Sequence, residues 1–156
     1  MLNEPTNEIM AIQGVVQIEV LDANTGAILH TVTQHNKIPQ IGRNYIGFLL
    51  KGAADAPTDI AVGTGSAATL DADTTLGAEV YRSNITQRIA IANGVRFRFL
   101  LASTAANGST LTEAGIFGPQ LTLNNYMLSR VVYTGISKTL SVAISYTWDI
   151  TYVQVN

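Results

Sequence analysis

The chain contains no cysteine, so neither a disulfide nor a thiolate metal site is open to it. Charge is scarce as well: Asp, Glu, Lys and Arg make up 13% of the residues, against about 25% in an ordinary domain. The nine cations and eleven anions form no run of one sign and no basic stripe, which argues against nucleic acid as a main partner. No stretch approaches the ~18–20 unbroken apolar residues of a spanning helix. The first eight residues hold two glutamates and no cation, unlike a secretory leader. Aromatic girdles of the kind that ring an outer-membrane barrel are also missing, so no membrane partner is expected.

What is present is apolar content of 47% and a mean hydropathy of +0.22, on 156 residues. That length fits one domain, large enough to bury roughly 70% of its unfolded surface. A surface so poor in charge is best explained by partners that cover it. A homo-oligomer or a lattice component is therefore expected.

The strongest pattern lies at the end of the chain. Leu140, Val142, Ile144, Tyr146, Trp148, Ile150 and Tyr152 alternate with Ser141, Ala143, Ser145, Thr147, Asp149 and Thr151. Seven matches to a period of two, rich in β-branched and aromatic residues, predict one long strand that forms the beam of a sheet. Residues 1–13 read as a polar N-terminal arm, and residues 14–156 as a single β-domain. Alternation begins at Gly14 with Val16, Ile18 and Val20, and the cluster Asp22-Ala23-Asn24-Thr25-Gly26 turns the chain into a returning strand at 27–34. Pro39 and Gly42 interrupt. Tyr45, Ile46, Leu49 and Leu50 then fall at helical spacing, predicting one short helix over 43–51. Further strands are predicted at 59–62, 85–92, 95–101, 111–117 and 126–133, with Asn93-Gly94 as the sharpest hairpin signal. About eight strands with regular turn signals predict an all-β antiparallel β-sandwich or jelly-roll-like barrel.

Candidate chemistry is thin. Gly63-Thr64-Gly65 follows a strand, but Ala68 replaces the third glycine of a dinucleotide loop and no Gly-Lys-Ser/Thr occurs, so a tight turn is the better reading. Asp55, Asp59, Asp71 and Asp73 flank loops without the spacing of a calcium loop. His30 and His35, five apart on a strand and its exit, face opposite sides. Glu79 and Glu113 could pair as glycosidase carboxylates. Each has an arginine companion, Arg82 and Arg130, which favours structural ion pairs. Tyr146, Trp148 and Tyr152 could form a sugar-binding stripe, but the aliphatic residues sharing their face favour a core. No catalytic residue, cofactor or metal site is expected.

Five pieces stand in one order: Ile60-Ala61-Val62-Gly63-Thr64-Gly65, Leu76-Gly77-Ala78-Glu79-Val80-Tyr81-Arg82, Thr112-Glu113-Ala114-Gly115-Ile116-Phe117, Met127-Leu128-Ser129-Arg130, and Lys138 leading into the strand with Trp148. Together, over about residues 40–153, they resemble a domain of tailed-phage virion structural proteins, found near the collar in tail fibres and as short stand-alone chains. The resemblance implies a non-enzymatic virion component, a homotrimer, with Glu79, Arg82, Glu113 and Arg130 as recurring charged positions. Scarce charges among small residues are themselves good candidates for a buried or intersubunit ion network.

Two virion roles follow as expectations. One is a capsid decoration (cement) protein seated on the major capsid protein. The other is a tail, baseplate or fibre-attachment subunit. A carbohydrate-binding module is the alternative from another class. The loops at 52–59, 64–76 and 103–109 are the expected contact elements, Gly63, Thr64, Gly65, Asp71 and Asp73 among their residues, because a long loop needs a partner. The expected location is the virion, after assembly in the host cytoplasm.

Overall fold

The structure is a computed structural model and describes residues 9–119 and 126–155. Along the chain these residues form β1 (Ile9–Asp22), β2 (Ile28–Asn36), α1 (Gln40–Lys51), β3 (Asp59–Gly63), β4 (Glu79–Asn84) and β5 (Gln87–Ile91). They continue with β6 (Gly94–Leu101), β7 (Thr110–Phe117), β8 (Met127–Ser137) and β9 (Val142–Val155). Two antiparallel sheets result, ordered β2-β1-β9-β6-β5 and β4-β3-β7-β8. The all-β sandwich expected from the alternation is what the chain forms.

The alternating residues of β9 are the reason for its place. Ile144, Tyr146, Trp148 and Ile150 are all buried, and β9 sits in the middle of the five-stranded sheet with β1 on one side and β6 on the other. Val16, Ile18 and Val20 of β1 and Phe97, Phe99 and Leu101 of β6 share that inner face. Opposite them lie Ile60 and Val62 of β3, Ala114 and Ile116 of β7, and Leu128, Val131 and Tyr133 of β8. Apolar surface buried this way contributes about 25 cal/mol per Å², and it is the main force holding the layers together. One side of the sandwich is also stitched: the backbones of Lys37 and Arg130 exchange hydrogen bonds of 2.8 and 2.9 Å across the two sheets.

Local chemistry explains the turns. The Asp22 carboxylate accepts from the Asn24 and Thr25 amides and the Thr25 hydroxyl, and Gly26 takes φ +72° between β1 and β2. Asn93 adopts φ +56° in the tight β5–β6 turn, as an Asn-Gly pair allows. Helix α1 ends at Gly52, which is left-handed at φ 72° and donates to the Leu49 carbonyl.

Several expectations need correction. β1 starts at Ile9, so residues 9–13 of the expected arm are strand, and residues 1–8 lie outside the described residues. Helix α1 begins three residues before Arg43 and contains Gly42. A Cβ on Gly42 would lie 2.1 Å from the Leu128 carbonyl oxygen, so this glycine lets the helix approach β8 instead of breaking it. Leu50, placed on the apolar helical face by its spacing, is 84% exposed. Leu140 is also exposed, in the turn before β9. The segment expected as one strand over 85–92 is shorter, and β4 precedes it unforeseen. Chain passage between the sheets explains this: β4 pairs with β3, while β5 pairs with β6 in the other layer.

Candidate functional site

Polar chemistry concentrates on the outer face of the four-stranded sheet. Alternation along β7 turns Ala114 and Ile116 into the core and Glu113, Gly115 and Phe117 outward. Arg130 of β8 pairs across from Gly115 and shares that outer face. Glu79 and Arg82 of β4 align with Gly63 and Ala61, again on this face. All four charged residues singled out from the sequence therefore lie on one side of one sheet.

They form two groups. Glu113 is fully buried, and Arg130 is 3% exposed. The Glu113 carboxylate accepts from the amides of Gly65 (3.0 Å), Ala78 (2.7 Å) and Gly77 (2.9 Å), and from Arg130 Nε at 2.9 Å. Arg130 Nη2 makes a further ion pair with it at 2.8 Å. The other guanidinium nitrogen, Nη1, donates to Asp73 at 2.8 Å, and Nη2 also donates to the Ala67 carbonyl at 3.2 Å. Burial by itself would pull the Arg130 pKa down; its bonds to Asp73 and Glu113 outweigh that and raise it. Glu79 and Arg82 pair separately, at 2.6 Å, with the Arg82 guanidinium 3.9 Å above the Phe117 ring.

The long small-residue loop is the object of these bonds. Residues 64–78 fold back over the outer face, and Leu76 packs there with Ala61, Phe117 and Met127 in a second apolar cluster. Small residues make the room. A Cβ on Gly65 would stand 2.4 Å from a Glu113 oxygen, and one on Gly63 would stand 2.6 Å from it. A buried carboxylate costs several kcal/mol of desolvation unless its lone pairs are met, and here three amides and a guanidinium meet them. No solvent reaches the carboxylate itself, while its donors Gly77 and Arg130 line a cleft of about 400 Å³ under residues 67–77. The arrangement clasps a loop to a sheet.

The remaining candidates disperse. Asp71 binds Arg43 at 2.8 Å and lies 3.8 Å from Lys37; the hydrogen bond from Arg43 lowers its pKa. Thr64 donates its amide to the Ala78 carbonyl, and Gly63 is buried at the end of β3. So the loop expected to seek a partner is held by its own sheet. Glu79 and Glu113 each face an arginine, as their companions suggested. His30 and His35 are exposed on β2, opposite Val20 and Val15 and so on different faces. Among the described residues, no three His, Asp or Glu side chains gather where a metal ion could sit. Tyr146 and Trp148 are fully buried, so the aromatic stripe belongs to the core and only Tyr152 is partly open.

Sequence reasoning missed two polar anchors. Asp73, taken as a loop residue, is the second anion on Arg130. Lys138 is 1% exposed, and its ammonium donates to the Ser103 and Thr139 carbonyls and the Asn107 amide oxygen at 2.9–3.1 Å, tying down the loop after β6. Burial pulls its pKa down. A lone lysine in the short turn before the final alternating strand was the available signal.

Fold and site together define an antiparallel β-sandwich whose longest loop is bound to one sheet by a buried ion pair. No family model matches the chain, and comparisons with curated proteins and with solved structures give no match.

Proposed function

We propose that this chain is a structural subunit of a tailed-phage virion, a capsid decoration protein that assembles as a homotrimer and stabilises the head by passive contact. One observation carries the reading. The sequence pieces on which the resemblance rests lie far apart in the chain, yet four of them meet in the clasp. Gly65 comes from the first piece, Gly77 and Ala78 from the second, Glu113 from the third and Arg130 from the fourth. A motif whose conspicuous residues brace a loop fits a protein selected for shape. Low charge and a cysteine-free composition fit a subunit that packs against copies and neighbours.

The work of such a subunit is burial of apolar and small-residue surface between chains, offset by the entropy of ordering what it meets. The test is quantitative protein analysis of purified particles from cells that make this chain. Copies in the hundreds per particle, on heads freed of tails, are the expected result. A few to a few dozen copies on tails would move the protein to the tail or baseplate. Absence from particles would overturn the reading.

A further inference from the structure

Asparagine is followed by glycine twice in this chain, at Asn93-Gly94 and at Asn107-Gly108. Asparagine is chemically labile, and a following glycine leaves the next peptide nitrogen without a side chain to hinder it. That nitrogen can attack the side-chain amide carbon of the asparagine before it. Both asparagines are exposed, so access to water does not separate them. Their hydrogen bonds do.

Asn107 is held at the atoms the reaction needs. Its amide nitrogen donates to the Ser103 carbonyl at 2.8 Å, and its amide oxygen accepts from the Lys138 ammonium at 3.1 Å. The Gly108 amide, which would be the nucleophile, donates to the Lys138 carbonyl at 3.0 Å. Freeing this loop means undoing the cage of a lysine that is buried.

Asn93 has a looser setting. Its side chain has no hydrogen-bond partner. With Ala92 it forms a turn closed by the Ile91–Gly94 pair, and its own φ of +56° lies in the left-handed region. The strand entering the turn, β5, is the last of its sheet, pairs with β6 alone and has four exposed residues in five. An edge with so few buried contacts opens locally at low free-energy cost, which frees the turn to bring the Gly94 nitrogen to the Asn93 side chain. Substitution of the glycine offers no escape: a Cβ on Gly94 would lie 2.1 Å from the Ile150 carbonyl oxygen. The fold therefore keeps the labile pair.

We infer that Asn93 is a site of spontaneous deamidation selected by the fold. The Gly94 nitrogen bonds to the Asn93 side-chain carbon and gives up its proton. The bond from that carbon to the amide nitrogen breaks, and the nitrogen leaves with the proton as ammonia. Water then opens the cyclic imide at either carbonyl, giving aspartate or, with the chain rerouted through the side chain, isoaspartate. Either product adds one negative charge to a chain of net charge −2. Isoaspartate also lengthens the backbone at the residue whose carbonyl accepts from the Tyr152 amide at 2.8 Å, the tie between this turn and β9.

The test is peptide mapping of the full chain after incubation in heavy-oxygen water at mildly alkaline pH, once folded and once in urea. Heavy oxygen enters where the imide opens, so it marks the reacting position. In the folded chain Asn93 is expected to convert on the order of tenfold faster than Asn107, with isoaspartate the larger product. In urea the two positions are expected to convert at about the same rate. The Asn93→Ser chain is expected to lose the signal and keep its circular dichroism spectrum. A folded chain in which Asn93 converts no faster than Asn107 overturns the assignment. So does a rate ratio that urea leaves unchanged, because the selection would then come from local sequence and not from the fold.

Discussion

Glu113 has the most demanding surroundings of any charged side chain among the described residues. Its carboxylate is completely buried and bonded to three amides and a guanidinium, so its neutralisation leaves the buried Arg130 with Asp73 as its remaining anion and removes the charge that three amides face. Glu113→Gln is expected to cost about 3–5 kcal/mol in urea unfolding. Arg82→Ala breaks a half-open pair and a ring contact, and is expected to cost roughly 1 kcal/mol. Equal losses would mean that the two groups act as one network. Three of the six tyrosines make a second residue-scale prediction. Burial raises the pKa of Tyr45, Tyr133 and Tyr146 above the ordinary value near 10. Above pH 10 the unfolded chain releases phenolic protons that the folded chain keeps, so stability falls as pH rises there. Ultraviolet titration of phenolate should show at least three tyrosines ionising only as the chain unfolds.

At the scale of elements, the loop at 64–78 behaves as a lid fixed at one point by Leu76 and at another by Glu113. Leu76→Ala removes the apolar anchor and is expected to cost about 2–3 kcal/mol, with faster proteolysis between residues 66 and 75. Unchanged cleavage would mean that the amide bonds to Glu113 suffice. Strands with clean alternation were legible in the sequence, β9 above all, because each has one buried and one open face. β4 was not, because Glu79–Asn84 is an edge strand with no buried apolar row. The start of α1 was hidden for a different reason: Gly42 reads as a helix breaker by propensity, and only the closeness of β8 explains it.

For the whole molecule, the single tryptophan reports on the union of the two sheets. Trp148 is fully buried at the centre of the core, so its emission is expected to be blue-shifted, resistant to aqueous quenchers, and lost in one transition together with β-sheet circular dichroism. An accessible Trp148 in the folded state would contradict the packing of β9 against the four-stranded sheet. The same burial withdraws Tyr146 and Trp148 from sugar binding.

The sequence by itself determined the fold class. Period-two alternation dictates strands with one buried face, and an apolar-rich chain with few charges has to bury those faces against each other. Only the tertiary structure decided which residues meet around Glu113. The distances from Gly65, Gly77 and Asp73 to β7 and β8 are set by loop closure and sheet register, which no local pattern encodes. It also decided that Leu50 and Met10 stay open, because exposure depends on where neighbouring strands end.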